Sequence, residues 1–557
     1  MQDAIDTTTQ LENDSEATIE LFARFLAFVA KNVNSDPSSS HPRTNLLYNA
    51  FKHFTESYLA SQDVHTLTSA FDLDVRRTVI SSYFKALATL ESSGITDVPH
   101  QPPSALFAAA KDADASIYAV FGGQGTNEVY FDELQNLYDL YTPYVQPFVQ
   151  AITDELFLPL VRASSFSYDH GLDVSSWLSG SAPRPPISYL ASVAVSFPVI
   201  GLTQLTQYLV AFRVAGLTPG EMLERFSGAT GHSQGVVSAV AISASSTDEQ
   251  FALNSKKALK WLFLAGSRAQ IAFPVVSLEP SIIADSVEGG EGVPSPMLTV
   301  VGLNFKDLER HVATTNKYLP ENSKLCISLH NSIKAFVVTG PSRALHGLVT
   351  ALRKIRAPSG LDQSKIPFSK RKPAFLVRFL LVGVPFHSPY LADAVDVLLN
   401  DDLKGEELWE SDELQIPVYH TADGEYTSSL LGVCSNFVFF LFLPGSDLRN
   451  STSSITRSIT EQVFALPLHW TKAIDFPETA THAIDFGPGG ANGVGPIVSR
   501  ILSGRGVRVV ILGEKSKGDE LYDSNNVKYE DRWDKKWAPR LVKTRYIFHL
   551  RKPRSVS

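Results

Sequence analysis

Apolar residues recur at helical spacing through the first part of the chain. Over residues 19–33 they fall three or four positions apart, which is the period of one buried helix face. The Pro- and Ser-rich stretch 36–42 interrupts this pattern, and helical spacing resumes over 43–95, because such residues favour turns. We therefore expect a mostly helical N-terminal region over residues 1–112, and nothing in it indicates chemistry.

From residue 113 the pattern changes to short apolar runs that end in glycine-rich turns. Residues 116–121 are followed at once by Gly-Gly-Gln-Gly, and residues 483–486 by Gly-Pro-Gly-Gly. Buried strands that alternate with tight turns and helices are typical of a parallel sheet flanked by helices. We predict an α/β core of this kind, α/β-hydrolase-like, over residues 113–296 and 383–515.

A third pattern separates the two parts of this core. Residues 297–382 predict the order strand, helix, strand, strand, helix, strand. This order describes a ferredoxin-like subdomain, which we expect to be inserted in the core. The four predicted strands cover 297–302, 325–329, 335–339 and 375–382.

Composition and charge limit the class of protein. Of the 557 residues, 44% are hydrophobic and 19% are charged, and the formal net charge is −9. This is a globular composition with ample apolar surface for a core. A net negative charge and the lack of a Lys/Arg block argue against a nucleic-acid partner. The most apolar run, 437–443, is too short to span a membrane as a helix.

The cysteines and the N-terminus indicate a cytoplasmic protein. The chain has two cysteines, Cys326 and Cys434, too few for a disulfide framework. The first residues are acidic and polar, unlike a signal or transit peptide. No Cys/His spacing indicates zinc, so we expect no metal site.

Residues 231–235, Gly-His-Ser-Gln-Gly, carry the clearest chemical signal in the chain. They have the G-x-S-x-G form of a nucleophile elbow, a sharp strand-to-helix turn that exposes a serine hydroxyl. Residues 226–230 suit the strand, and the apolar residues 236–242 suit a buried helix. Ser233 is therefore a candidate nucleophile for acyl transfer, with a plain surface turn as the alternative for so short a pattern.

A serine nucleophile needs a base and donors for the oxyanion that its attack creates. His387 lies in a Pro-bounded segment after a predicted strand, although it is one of 14 histidines, and on position alone a structural role is favoured. The N–H of Gln234, directly after the nucleophile, is a natural donor. The glycine-rich turn that contains Gln124 is a second candidate, with a plain strand-to-helix connection as the alternative.

Seven short motifs occur in one order along the chain, at 121–126, 231–235, 266–274, 331–332, 386–391, 466–470 and 486–489. Together they resemble the acyl-CoA:acyl-carrier-protein transacylases. The chain is most similar to the N-terminal acetyltransferase region of the fungal fatty acid synthase β subunit, over most of residues 20–545. Seven motifs in register are far more specific than any single one.

The resemblance implies roles for individual residues. Ser233 is expected to carry the acyl group, and His387 to act as its general base. The backbone carbonyl of Leu466, which precedes Pro467, is expected to orient His387, so that no carboxylate is needed. Gln124 and the Gln234 N–H are expected to shape the oxyanion site.

The resemblance also concerns which acyl group is carried. Asn331 is expected to lie near the acyl pocket. Malonyl-transferring relatives place an arginine five residues before the Gln of a Gln-x-Ala-x-Pro stretch, and counting back from Gln270 gives Ala265. A free carboxylate would lack its bidentate partner there, and an unpaired buried charge is costly. We therefore expect an acetyl or another uncharged short acyl group.

The resemblance implies a ping-pong reaction in fatty acid biosynthesis, or in a related synthesis of a short-chain acid. Ser233 would take the acyl group from coenzyme A and pass it to the phosphopantetheine thiol of an acyl carrier protein. No permanently bound cofactor is expected. The expected partners are acyl-CoA, an acyl carrier protein domain, the synthase α subunit and the remaining β-subunit domains. A serine hydrolase or thioesterase and an inactive truncated fragment stay open as alternatives.

Two segments depart from the family pattern. Residues 425–445 separate an Asp-Gly pair from Ser-Asp-Leu-Arg, which are contiguous in the family. We interpret this insert as a retained intron or a gene-prediction error, with a genuine hydrophobic strand as the alternative. Residues 516–557 are expected to be a linker to a missing downstream domain, and 546–557 match nothing in the family pattern.

Overall fold

Two five-stranded sheets organise the protein, one parallel and one mixed. The structure is a computed structural model, and it describes residues 2–33, 40–95, 97–125, 129–274, 276–358, 360, 362–422, 446–451, 454–513 and 518–532. The insert 425–445 with Cys434, and the end of the tail from residue 533, lie outside the described residues.

The strands and helices of the described residues are numbered separately, each in chain order. The strands are β1 Ile117–Phe121, β2 Phe226–Gly231, β3 Met297–Val301, β4 Cys326–Ser332, β5 Ala335–Thr339, β6 Leu376–Phe379, β7 Val418–Tyr419, β8 Leu468–His469, β9 His482–Asp485 and β10 Arg508–Ile511. The helices are α1 Gln2–Val33, α2 Ser40–Tyr58, α3 Val64–Leu67, α4 Leu73–Ser92, α5 Ala105–Lys111, α6 Val129–Leu140, α7 Thr142–Ile152, α8 Leu158–Ala163, α9 Val174–Ser179, α10 Ile187–Leu190, α11 Val193–Val214, α12 Pro219–Leu223, α13 Gly235–Ser243, α14 Asp248–Ala272, α15 Pro280–Glu288, α16 Phe305–Asn316, α17 Ser342–Ile355, α18 Ala392–Val397, α19 Ile455–Phe464, α20 Trp470–Ala473 and α21 Gly495–Ile501.

Helices α1 to α5 precede the first strand, as the spacing of apolar residues predicts. Helix α1 packs against α2 and α4, and it buries Ala23, Leu26 and Ala30 there. These positions lie three or four residues apart, so they form one stripe on the helix. The helical lead-in that the sequence predicts is confirmed.

The parallel sheet has the strand order β10-β9-β1-β2-β7. Its central strand β1 pairs in parallel with β2 on one side and β9 on the other. In this arrangement Phe121 lies beside Gly231 and Val120 beside Asp485. Because the carboxyl ends of parallel strands meet at one edge, the turns after β1, β2 and β9 come together there. The predicted parallel α/β core is confirmed.

The mixed sheet has the order β6-β3-β5-β4-β8. Strands β3 to β6 pair with one another in antiparallel fashion, and their order with the helices is β3-α16-β4-β5-α17-β6, which confirms the ferredoxin-like subdomain. Strand β8 comes from the core and adds to β4 in parallel. The sequence did not predict β8, because two residues are too few to show a strand period.

The two faces of the mixed sheet have different tasks. Leu298 and Val300 belong to a separate apolar cluster with α16 and α17. Met297, Leu329 and Val337 join the main core instead. Because successive side chains of a strand point to opposite sides, one face closes the subdomain on its own helices. The other face packs against the main core, which contains the parallel sheet.

Helix α11 is an almost entirely buried helix that positions the site. It is long and apolar enough to cross a membrane, but its most apolar stretch is 100% buried inside the protein. A helix that is apolar all round is also typical of the centre of a large globular core, and α11 packs against α14, α6 and α13. The polar side chains that it nevertheless buries, such as Gln204, therefore need partners within the protein.

A buried ion pair ties the chain before β3 to helix α17. Glu291 is 0% exposed and accepts from the Nε and Nη2 of Arg353 at 3.1 and 2.7 Å. Arg356 donates its Nη2 to the same carboxylate at 3.1 Å. Removing one partner of a buried pair leaves an uncompensated charge.

We expect Glu291→Gln to lower the free energy of opening of the ferredoxin-like subdomain by about 2 kcal/mol, because Arg353 and Arg356 lose their shared counter-charge, although both are partly exposed and Arg353 keeps Asp285. Amide hydrogen exchange of β3 to β6 measures this local free energy. The matched control is Glu279→Gln, since Glu279 and its partner Arg343 are both mostly exposed; its effect should stay below about 1 kcal/mol. Equal protection loss in both variants contradicts the prediction.

Candidate active site

Ser233 lies at the sharp turn between β2 and α13 with a left-handed φ of 55°. The turn is possible because its flanking residues are glycines. A Cβ on Gly231 would lie 1.9 Å from the carbonyl carbon of Gly235, and one on Gly235 would lie 2.5 Å from the Phe121 oxygen. A non-glycine residue at positive φ is strained and is typical of functional sites. The geometry is that of a nucleophile elbow.

The structure brings His387 and Leu466 to this serine. The Nε2 atom of His387 lies 2.8 Å from Ser233 Oγ, and its Nδ1 lies 3.1 Å from the Leu466 carbonyl oxygen. A carbonyl only accepts hydrogen bonds, so Nδ1 carries the proton. The lone pair on Nε2 therefore faces the serine hydroxyl, which is the tautomer that a general base needs.

His387, like Ser233, has a strained backbone conformation. Its φ is 57°, and the backbone N–H groups of His387 and Ser388 donate to the carbonyls of Val463 and Phe464 at 3.3 and 3.0 Å. These carbonyls come from the end of α19, just before Leu466. The same segment therefore fixes both the backbone and the ring of His387.

Burial sets the charge state of His387. Its side chain is almost completely shielded from solvent, and burial lowers its pKa from 6.5 to about 4. The nearby His232 lowers the pKa further, whereas the hydrogen bond to Leu466 raises it. The imidazole is thus neutral at pH 7 and free to accept a proton.

The glycine-rich turn after β1 passes directly over the nucleophile. A Cβ on Gly123 would lie 2.8 Å from the His232 oxygen and 3.1 Å from Ser233 Cβ. The side chain of Gln124, next in this turn, donates its amide to Ser196 Oγ at 2.7 Å. Gln124 is thereby tied to α11, and it lines the same cavity as Ser233.

Gln234 is fully buried directly after the nucleophile. Its side-chain amide donates to the Phe197 carbonyl at 3.3 Å. Its backbone N–H makes no hydrogen bond to any residue that the structure describes. A free N–H at this position can donate to an oxyanion.

Asn331 joins the mixed sheet to the elbow through His232. Its Oδ1 lies 2.9 Å from His232 Nε2, and since an amide oxygen only accepts, His232 donates. The edge of Trp470 packs against the same imidazole, with ring centroids 5.1 Å apart. Asn331 also lines the cavity beside Ser233, and His232 is a contact that sequence reasoning missed.

A cavity of about 230 Å³ opens beside Ser233 and His387. Its wall is mostly apolar and includes no Lys, Arg, Asp or Glu among the described residues. Burial also lowers the pKa of His232 in this wall, so the cavity is uncharged at neutral pH. The apolar side chains are Phe197, Met297, Leu329, Val337, Leu380, Val382, Phe386, Pro488, Val494 and Ile497.

Most of this wall was not identified from the sequence. Met297 and Thr299 alternate on β3, and Leu329 and Asn331 alternate on β4. Period-two spacing is the signal that could have found them. It was not decisive, because the spacing does not say which face of a strand meets the nucleophile.

Ala265 is not brought to Ser233. It is fully buried in α14 and does not contribute to the cavity wall. The next residue, Gly266, packs on α11, where an added Cβ would lie 2.7 Å from the Val193 oxygen. The role of Ala265 in acyl selection therefore stays a prediction.

Within the residues that the structure describes, no three His, Cys, Asp or Glu side chains are grouped to hold a metal ion. The Ser233 hydroxyl and the His387 imidazole, in hydrogen-bond contact, line the cavity together with the glycine-rich turns. This set suits nucleophilic attack on a carbonyl with general-base assistance.

Sequence comparisons identify relatives over most of the chain. A family described as "Starter unit:ACP transacylase in aflatoxin biosynthesis" matches residues 119–373. A family described as "N-terminal domain in fatty acid synthase subunit beta" matches residues 1–90. Fatty acid synthase subunit beta of Schizosaccharomyces pombe is 38% identical over 96% of this chain and 24% of its own length. The Saccharomyces cerevisiae subunit is 36% identical over 96% of this chain and 26% of its own length.

The chain therefore spans about a quarter of the length of these relatives. Among solved structures, the malonyl CoA-acyl carrier protein transacylase (fabD) from Coxiella burnetii is similar at 16% identity and a TM-score of 0.47. That match covers 73% of this chain and 96% of the solved chain.

Proposed function

We propose that this chain, a homologue of the N-terminal part of the fungal fatty acid synthase β subunits, is an acyltransferase. It moves an acetyl or other uncharged short acyl group from coenzyme A to the phosphopantetheine thiol of an acyl carrier protein. The observation that carries this proposal is the 2.8 Å contact between His387 Nε2 and Ser233 Oγ. The tautomer that the Leu466 carbonyl fixes makes that contact productive.

The reaction proceeds in two halves. In the first, Ser233 Oγ attacks the thioester carbonyl while His387 Nε2 takes the hydroxyl proton. The negative charge on the carbonyl oxygen is stabilised by the Gln234 N–H and by the turn that contains Gln124. The C–S bond then breaks, the imidazolium returns its proton to the sulfur, and coenzyme A leaves the acyl ester on Ser233.

The second half reverses these roles with a different thiol. His387 removes the proton from the phosphopantetheine thiol, and the sulfur attacks the acyl-serine ester. The C–O bond breaks, and Ser233 Oγ recovers its proton from His387. Serine and imidazole are regenerated, so no cofactor needs to stay bound.

The uncharged cavity supports a neutral acyl group. A dicarboxylic acyl group would bury a carboxylate without a cation among the described wall residues, which is costly. Arg268 is close to Ala265 in sequence, but its guanidinium binds Asp402 through two contacts of 2.7 Å. It is therefore neutralised by a partner of its own.

The names of the relatives support the wider setting. The relatives are fatty acid synthase β subunits, so the partners that we propose are the synthase's acyl carrier protein domain, its α subunit and the remaining β-subunit domains. We propose a cytoplasmic location with the synthase. In this setting the acyl group on Ser233 is the starter unit of the fatty acid.

We expect Ser233→Ala to abolish covalent labelling by radioactive acetyl-CoA, and His387→Ala to slow labelling by about 10³-fold, because the base is lost. His346→Ala, in α17 beside Asp285, is the matched control and should label normally. Pantetheine or carrier protein should receive the label from the parent enzyme. Labelled Ser233→Ala protein refutes the nucleophile, and release of free acid in the presence of the thiol indicates a hydrolase.

We expect the acylation rate to stay constant from about pH 8 down to about pH 5 and to fall towards pH 4. Only neutral His387 accepts the serine proton, and its pKa is lowered from 6.5 to about 4, so the active form persists as the pH falls through 6.5. Rapid-quench measurement of acyl-enzyme formation gives this profile. A midpoint near 6.5 would show that the imidazole is not buried in the working enzyme.

We expect acetyl-CoA to acylate the enzyme at least about 100-fold more efficiently than malonyl-CoA, as kcat/KM, because the malonyl carboxylate finds no cation in the cavity. Butyryl-CoA is the matched control, since it approximates malonyl in size and lacks the charge. A malonyl-CoA value as high as that of acetyl-CoA would contradict the neutral cavity, and values that are low for both malonyl-CoA and butyryl-CoA would point to size instead.

A further inference from the structure

Gln204 lies at the centre of the hydrogen bonds that hold the active-site turns. It is fully buried in α11, and its Nε2 donates to the carbonyl oxygens of Gly122 and Gly487 at 2.7 and 3.0 Å. Its Oε1 accepts from Ser238 Oγ at 2.7 Å. One side-chain amide thus contacts three different segments of the chain.

Each of these segments has one end beside the nucleophile. Gly122 begins the turn whose Gly123 passes over Ser233. Gly487 precedes Pro488, which lines the cavity. Ser238 is in the first turns of α13, the helix that starts directly after the elbow. The position of the turns relative to the serine therefore depends on the amide that joins them.

The chemistry of this contact is specific to a carboxamide. Gln has two N–H donors and one carbonyl acceptor, and here two backbone carbonyls and one hydroxyl use them. A leucine of similar size would make none of these three hydrogen bonds, and a glutamate would have at most one donor for the two carbonyls. Buried networks of this kind are strong only when every member is satisfied.

The turn after β9 has further supports that do not involve Gln204. Asp485 accepts from the N–H groups of Gly487 and Gly495 at 2.8 and 2.9 Å. Glu133 accepts from the Gly489 N–H at 2.8 Å. The Gly122 N–H also donates directly to the Gly487 carbonyl at 2.9 Å. The two turns therefore stay joined without Gln204, and what the amide adds is their attachment to α13 through Ser238.

We propose that Gln204 is a positioning residue for acyl transfer, which rests on the function proposed above. It does not touch the acyl group. By joining the Gly122 turn, the Gly487 turn and the nucleophile helix, it fixes the distance between the oxyanion donors and Ser233 Oγ. Oxyanion donors act on the transition state and not on the bound thioester, so Gln204 acts on kcat and leaves KM unchanged.

The test compares Gln204→Leu with Gln207→Leu in the full-length chain. Gln207 is one turn along the same helix, is also buried and lies away from the cavity beside Ser233. We expect kcat for acylation by acetyl-CoA to fall about 30-fold in Gln204→Leu, with KM within about threefold, and both to be unchanged in Gln207→Leu. An unchanged kcat, or an equal loss in both variants, overturns the proposal.

Ser238→Ala decides the case in which Gln204→Leu does not fold, because it removes a single hydroxyl from the network. We expect a loss in kcat of about fivefold, again without a change in KM, and an unchanged kcat overturns the proposal. Where Gln204→Leu folds, the double variant should be no slower than Gln204→Leu alone, since both changes act through one amide. A parent enzyme that acetyl-CoA does not acylate refutes the proposed function itself, whereas an acylated parent with an equally fast Gln204→Leu variant refutes only this proposal.

Discussion

The contact between Ser233 and His387 joins two positions that are 154 residues apart in sequence. It depends on a proton that the Leu466 carbonyl holds on the far side of the ring. Both residues adopt a left-handed φ, a conformation that costs free energy and persists only where the surrounding structure imposes it. The glycines of the elbow and the end of α19 impose this backbone conformation. Burial of the same site keeps the imidazole neutral.

The carboxyl edge of the parallel sheet concentrates the glycines of the site. Three turns meet there within contact distance, and added Cβ atoms at Gly123, Gly231 or Gly235 would collide with neighbouring backbone. Close backbone approach is what an oxyanion site needs, because its donors are backbone N–H groups. The polar side chains that anchor these turns come from α11, from α6 and from the end of β9.

The mixed sheet completes the site from the other side. One of its faces packs on its own helices, and the other forms much of the cavity wall. Asn331 on β4 reaches back to His232 beside the nucleophile. The inserted subdomain therefore supplies much of the uncharged wall of the cavity beside Ser233 and His387.

The sequence by itself determined the local structure: the elbow at Ser233, the glycine turns, the helical lead-in and the order of strands in the ferredoxin-like subdomain. These depend on short-range patterns, since a turn of this kind needs glycine and a strand needs a period of two. The family resemblance singled out His387 among 14 histidines, but only the tertiary structure showed the contact of its imidazole with Ser233, that Ala265 stays off the cavity wall, and that Gln204 joins two turns and α13. Such contacts are set by how distant segments pack, and no local pattern encodes a distance between them.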